Sequence, residues 1–329
     1  MMPEMKGHEP PVLAIDLGGT NIIAAIISNK GQIMAKEYRL TLADQGPQSV
    51  INGVLLAIDH LLNLRNIDLS QLHSISIAAT GALDGDMGLI TSFAYFPDWD
   101  DIPLRDIVKE KYRVDTFLLN DASAAALGEH HFGAGKGAKN LIYITVSTGI
   151  GSGIIINDKL YSGASGSAGE IGYMTIDVNQ TLCDCGNNGC LEMLASATAV
   201  SEEAQRRIRQ GEKSSLTKIV EGKIEDITAE KVGLAAQNGD SLALEVVSRA
   251  ATYLGVGLLN LVNIFNPEMI IVGGGLSKLG DLLLDPARQV VRERAFPLPA
   301  QAVRIVPAQL GDDAGMLGAA VYARQQKQS

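Results

Sequence analysis

Apolar positions along this chain fall into two matched series. VLAIDLGGTNIIAAIISNKG, from Val12, and LIYITVSTGIGSGIIINDKL, from Leu141, match without a gap. Each is a run rich in Ile and Val, then a Gly/Thr turn, a second apolar run, and a polar Asn-containing turn leading to a third. Runs of this kind between turn residues predict buried β-strands. Asp16 falls opposite Thr145, and Ser28-Asn29-Lys30 opposite Asn157-Asp158-Lys159. The series continue in the same order. SVINGVLLAIDHLLNLR (49–65) and SLALEVVSRAATYLGVGLLNLVNIF (241–265) predict helices. Each precedes a strand ending in small residues, SISIAATGAL (74–83) and MIIVGGGLS (269–277). DASAAALGEHHFG (121–133) predicts a helix between the halves, and DDAGMLGAAVYARQQ (312–326) a final helix that returns to the first half.

This order predicts a duplicated α/β unit: two mixed sheets with a cleft between them. The expected organisation is a leader over 1–11, an N-terminal α/β domain over 12–120 plus 312–329, and a C-terminal α/β domain over 121–311. Ligands of open α/β sheets sit in a crevice outside the strand ends.

Composition narrows the partners. The 329 residues carry a formal net charge of −10 with no basic patch in the sequence, which argues against a nucleic-acid or anionic-membrane binder. Phosphate-bearing ligands stay possible, because backbone N–H groups and Mg²⁺ hold phosphates without Lys or Arg. MMPEMKGHEPP lacks the basic and apolar regions of a signal peptide, and no apolar run is read as a membrane span. The three cysteines cluster without a secretion signal, so a reducing cytoplasm is expected.

The turns then supply candidate chemistry. In DLGGTN, Gly18 and Gly19 let the backbone approach an anion, Thr20 adds a hydroxyl beside Asn21, and Asp16 at the strand end can hold a Mg²⁺ water shell. TVSTGIGSG places Thr148 and Gly149 in the equivalent turn, and VGGGLS offers Gly274 and Gly275 as a shelf for a nucleoside. Two such hairpins would grip a polyphosphate from both sides. No GxxxxGK[ST] run is present, so a P-loop is not indicated. In LLNDASAAALGE, Asp121 stands where a strand meets a helix. Its carboxylate either takes a proton from an attacking alcohol or caps the helix.

DLGGTN, STGIGSG, the ND of LLNDASAA, AGEIG and CDCGNNGCLE together resemble the motifs of the ROK family (repressors, open reading frames, sugar kinases), from about Val12 to Ala323. The resemblance implies an actin/hexokinase-like (ribonuclease H-like) fold and transfer of the ATP γ-phosphate to a hexose or N-acetylhexosamine hydroxyl, O6 first and glucose first. N-acetylmannosamine, fructose or allose are the other sugars, and a sugar-sensing protein that has lost catalysis is the other class. ROK repressors carry an added helix-turn-helix domain, for which there is no room before Val12, so a kinase is expected. Asp121 would be the general base. Asn120, Glu170 and Glu192 would bind sugar hydroxyls or an acetamido group, with Gly81 approaching through its backbone. Convergent carboxylates and amides suit vicinal diols. For Glu192, a place in the first turn of a helix is the alternative to sugar binding. A homodimer is also implied.

Cys183, Cys185 and Cys190 are soft ligands that favour Zn²⁺ in a structural role, within the loop 183–190. The family usually reads GEIGH where this chain reads GEIGY, so Tyr173 stands at the usual His ligand, which also reaches the sugar. The fourth position falls to Asp184, water, the Tyr173 hydroxyl, or one of His8, His60, His73, His130 and His131. The Asn that often precedes the next Trp is missing from TSFAYFPDW, where Asp98 or Tyr95 would substitute. His130 and His131 are expected at the surface or behind the site.

Overall fold

The computed structural model describes residues 9–84, 87–92, 99–180, 182–183 and 185–327. Asp184, Tyr95, Asp98 and His8 lie outside the described residues. The first half runs β1 (Val12–Leu17), β2 (Asn21–Ile27), β3 (Ile33–Leu40), α1 (Pro47–Arg65) and β4 (Ser74–Ala79). Three short strands follow, β5 (Ala82–Asp84), β6 (Leu89–Ser92) and β7 (Asp100–Ile102), then α2 (Leu104–Tyr112), β8 (Thr116–Asn120) and α3 (Asp121–Phe132). The second half opens with β9 (Leu141–Val146), β10 (Ile150–Ile156) and β11 (Lys159–Leu160). The helices α4 (Leu191–Ala195), α5 (Ala197–Arg209), α6 (Leu216–Ile219), α7 (Ala229–Gln237) and α8 (Ser241–Phe265) come next. The chain closes with β12 (Met269–Gly273), α9 (Asp281–Arg294), α10 (Pro297–Ala302), β13 (Arg304–Pro307) and α11 (Ala314–Gln326).

The two sheets have one topology. The first is ordered β3-β2-β1-β4-β8 and the second β11-β10-β9-β12-β13, so the duplication read from the sequence is present in the fold. In each sheet the first three strands are antiparallel neighbours and the last two run parallel to the first. One detail differs from the gapless match. Leu17 pairs with Ile22 across residues 18–21, whereas Val146 pairs with Ile150 across 147–149. The second turn is one residue shorter, and the equivalence beyond it shifts by one. A slip of one residue would otherwise turn every side chain to the wrong face of the sheet.

Strand alternation assigns each face to a core. Leu13, Ile15 and Leu17 of β1 bury against Val54, Ile58 and Leu61 of α1. In the second half Ile142, Ile144 and Val146 meet the α8 residues Leu254, Leu258 and Leu261. Val12, Ala14, Tyr143 and Ile271 face the other way and share a third core with α3 and α11. These two helices follow the fifth strand of their respective sheets and cross closely. A Cβ on Gly318 would come within 1.6 Å of the Ala124 carbonyl oxygen, and one on Gly128 within 2.3 Å of that of Ala314. Only glycine permits that approach.

The helix α8 has the length and apolar composition of a membrane span, contrary to the expectation that no run would reach it. Most of that window is buried in the fold, which explains its composition as that of a core helix.

Candidate active site

The parallel register brings three strand ends to one level. Leu17 pairs with Ala79, and Ala79 with Asn120, so Gly18, Thr80 and Asp121 leave β1, β4 and β8 side by side. Asn120 takes the helix cap: its Oδ1 accepts from the Ala122 and Ser123 N–H groups at 3.0 and 3.1 Å. The cap reading considered for Asp121 therefore belongs to its neighbour. Asp121 keeps its carboxylate at the helix start, with Oδ1 accepting from the Ala122 N–H at 2.8 Å and Oδ2 from the Thr80 hydroxyl at 2.6 Å. Gly81 follows with φ 105°, a conformation that favours glycine.

Asp16 lies half-buried beside this group. Its carboxylate approaches the start of α11 so closely that a Cβ on Gly315 would sit 2.3 Å from Oδ2. Burial, then repulsion from Asp121 and Asp312, pushes its pKa up to about 7, against a partial offset from Lys36. Lys36 itself bonds Asp313 at 2.5 Å. The site thus holds more carboxylate than ammonium charge, a donor set that fits a divalent cation. The adjoining turn is shaped by the Gly18 N–H donating to the Asn21 carbonyl at 3.0 Å and the Thr41 hydroxyl donating to the Gly18 carbonyl at 2.8 Å. Thr20 and Asn21 are exposed beside it.

From the second half, Glu192 reaches the turn between β9 and β10. Its Oε2 accepts from the Ile150 N–H at 2.7 Å, and a Cβ on Gly149 would sit 2.3 Å from that oxygen. The carboxylate is therefore used across the hairpin, beyond a favourable place in the first turn of α4. Glu170 is raised above the usual carboxylate range by burial and by Asp121 and Glu192, so these three acids share one electrostatic field. The Tyr173 phenol is pushed up to about 12 by burial and by Glu192 and Glu170, with smaller effects from Cys185 and Cys183. Thr148 is exposed at the turn, and its carbonyl accepts from the Thr198 hydroxyl at 2.8 Å. Gly274 and Gly275 lie at the base of the same hairpin. Gly274 has φ 85°, and a Cβ there would meet the Val146 carbonyl oxygen at 2.5 Å, so that position demands glycine.

The three thiols converge, with their Sγ atoms all within 4.8 Å of one another and Cys185 Sγ 3.5 Å from Cys190 Sγ. A tetrahedral zinc with Zn–S near 2.3 Å spaces its ligands about 3.8 Å apart, so the thiols fit three corners. Among the described residues no His, Asp or Glu joins them, which removes His60, His73, His130 and His131 as a fourth ligand in this arrangement. The cluster is tied to the site through the backbone. The Asn187 side chain donates to the Tyr173 carbonyl at 3.2 Å, and the Leu191 N–H to the Met174 carbonyl at 2.9 Å. Glu170 and Tyr173 on one side and Glu192 on the other are thereby joined at the cysteine loop. His131 is exposed as expected, while the His130 side chain is 9% exposed and faces Asp158 at 3.3 Å.

Sequence reasoning missed Thr80, Asp312 and Glu129. Glu129 is fully buried and accepts N–H groups from Ala134, Gln309 and Leu310. It binds the end of α3 to the connector that leads into Asp312 and α11.

A model of the ROK family matches residues 12–326. The chain is 35% identical to the glucokinase of Thermotoga maritima over 98% of its own length and 99% of that protein's. It is 33% identical to the xylose repressor of Caldicellulosiruptor bescii, over 93% of this chain and 76% of the repressor. A ROK family glucokinase from Streptomyces griseus, solved with glucose and AMPPNP, superposes with a TM-score of 0.84 at 33% identity, covering 96% of this chain and 99% of that one.

Proposed function

The chain belongs to the ROK family and is a sugar kinase of the actin/hexokinase-like fold; we propose that it transfers the γ-phosphoryl group of ATP to the 6-hydroxyl of glucose, with Asp121 as the base. The observation that carries this reading is the Asp121 carboxylate. Asn120 takes the helix cap, two donors orient the Asp121 carboxylate, and Asp16 and Glu170 lie within its electrostatic reach, with Glu192 acting on Glu170 in turn.

The sugar lies against the second-half wall. Glu170 and the open oxygen of Glu192 accept from vicinal hydroxyls, the Asn120 amide and the Tyr173 hydroxyl donate, and Gly81 leaves room for the ring. The turns holding Gly18, Gly19, Thr20 and Asn21, and Thr148 and Gly149, present N–H and hydroxyl donors to the phosphates. Gly274 and Gly275 take the nucleoside. Asp16, with Asp312 nearby, would hold Mg²⁺ through its waters. When bound, that ion neutralises charge on the phosphate oxygens. As the sugar oxygen attacks phosphorus, its proton passes to Asp121 and the bond to the leaving ADP oxygen breaks. Cys183, Cys185 and Cys190 would hold a structural Zn²⁺ that fixes the loop between Tyr173 and Glu192. Tyr173 would then serve the sugar side.

Residues 12–120 with 312–329 form one lobe in this reading and 121–311 the other, closing over the sugar to exclude water. The three free thiols suit a reducing cytoplasm. Exposed Ile264, Phe296 and Leu298 around the ends of α8 and α10 support a homodimer. The test is ADP release from Mg²⁺–ATP with glucose, mannose, fructose, N-acetylglucosamine, N-acetylmannosamine and allose, followed by identification of the product. Glucose 6-phosphate as the main product is expected. Preference for another sugar would correct the substrate, and glucose binding without turnover would place the chain with sugar-binding regulators.

A further inference from the structure

Thr80 joins three strand ends that the reaction needs at fixed distances. Its N–H donates to the Leu17 carbonyl at 3.1 Å, which sets it against the end of β1, one residue beyond Asp16. Its residue level is fixed again on the other side, because Ala79 pairs with Asn120. From there the Thr80 hydroxyl donates to Asp121 Oδ2 at 2.6 Å, a charge-assisted bond in the short range. The other carboxylate oxygen is held by the Ala122 N–H at 2.8 Å. One donor belongs to the helix that carries Asp121, and the other to a neighbouring strand. A carboxylate held by its own helix alone can still turn about the Cβ–Cγ bond. Two donors from separate elements remove that freedom.

We propose that Thr80 is a positioning residue for phosphoryl transfer: its hydroxyl fixes the Asp121 carboxylate in the plane that receives the sugar proton and ties that carboxylate to the strand carrying Asp16. This rests on the reading of Asp121 as the base. The hydroxyl neither gives up its proton nor touches either substrate. Each carboxylate oxygen keeps a further lone pair, so Asp121 accepts the sugar proton while the Thr80 bond persists. The effect belongs in the chemical step, because a reacting group displaced by about 1 Å can lose about a hundredfold in rate.

The experiment compares wild type, Thr80→Val, Thr80→Ser, Asp121→Asn and the double variant Thr80→Val/Asp121→Asn, with unfolding midpoints as a folding control. Valine keeps the shape and removes the donor. Thr80→Ala replaces it if the valine variant folds poorly. The expected kcat for Thr80→Val is lower by roughly 10- to 100-fold, with KM for sugar and ATP within about threefold of wild type. Thr80→Ser should recover to within about threefold, and Thr80→Val should cost nothing further once Asp121 is Asn. A kcat within about twofold of wild type, a loss carried by KM, a serine variant no better than valine, or losses that multiply in the double variant would overturn the proposal. Full activity in Asp121→Asn would overturn the base assignment and this inference with it. An inactive Asp121→Asn beside an unimpaired Thr80→Val would overturn this inference alone.

Discussion

Replacing Glu129 should weaken the join between α3 and the connector into α11 by an amount the structure lets one work out. The side chain is fully buried. Oε1 accepts from the Gln309 and Leu310 N–H groups at 2.8 and 2.7 Å, and Oε2 from the Ala134 N–H at 2.8 Å. Bonds to a charged acceptor contribute about 1.5–3 kcal/mol each, but they are not additive. Gln309 is exposed and Leu310 half-buried, so water recovers part of the loss. Glu129→Ala leaves three N–H donors without their acceptor and is therefore expected to lower the unfolding free energy by about 2–5 kcal/mol, since each unsatisfied donor costs about 1–3 kcal/mol and the costs do not add. Glu129→Gln should cost about 1–2 kcal/mol, since its amide oxygen still serves one side while its NH₂ faces donors on the other. Urea unfolding followed by circular dichroism and by fluorescence of Trp99, the one tryptophan, measures both losses and tests whether the two probes coincide. A Glu129→Ala variant within about 1 kcal/mol of wild type, or a Gln variant as costly as Ala, would refute the reasoning.

Asp16 gives a pH prediction with a definite sign. Its pKa rises from 3.8 to about 7 on folding, so the folded state keeps a proton that the unfolded chain has already released. Its favourable contribution is therefore present below about pH 4 and is lost as pH climbs to about 7. Asp16→Asn should raise stability at pH 8 by about 1–2 kcal/mol in Mg²⁺-free buffer, show a much smaller gain at pH 4.5, and abolish most activity. Equal gains at both pH values in urea melts would contradict this. Cys190→Ser should reduce bound zinc from about one per chain to near zero by elemental analysis. It should also raise the sugar KM at least tenfold or so, with the ATP KM within about twofold, and unchanged sugar KM after metal loss would sever the loop from the sugar site.

The strands and long helices were legible because their burial patterns are local. Residues 241–265 were read as one helix and form one, α8. The Asp121 helix was also found, but not which of two adjacent polar residues caps it. That depends on side-chain rotation, which sequence spacing does not set. The one-residue difference between the two turns escaped because both, Gly-Gly-Thr-Asn and Ser-Thr-Gly, consist of small and polar residues that give no apolar register. Thr80 lies in the small-residue end of the strand over 74–83 and carries no local signal. Only the parallel register of β4 and β8 places it beside Asp121, 41 positions away. Glu129 carries no local signal, because its partner Leu310 is 181 positions distant. Tyr173 and the three cysteines were legible as a group because the loop is short, and the hydrogen bonds from the Leu191 N–H and the Asn187 side chain that fasten it to Met174 and Tyr173 were not.

The most direct test of the central claim is the glucose-dependent turnover of Asp121→Asn, measured beside its glucose affinity. The base assignment predicts that kcat falls by about 10²–10⁴ while the dissociation constant for glucose stays within a few fold of wild type. A fall of less than about threefold in kcat would contradict it and move proton transfer to another group.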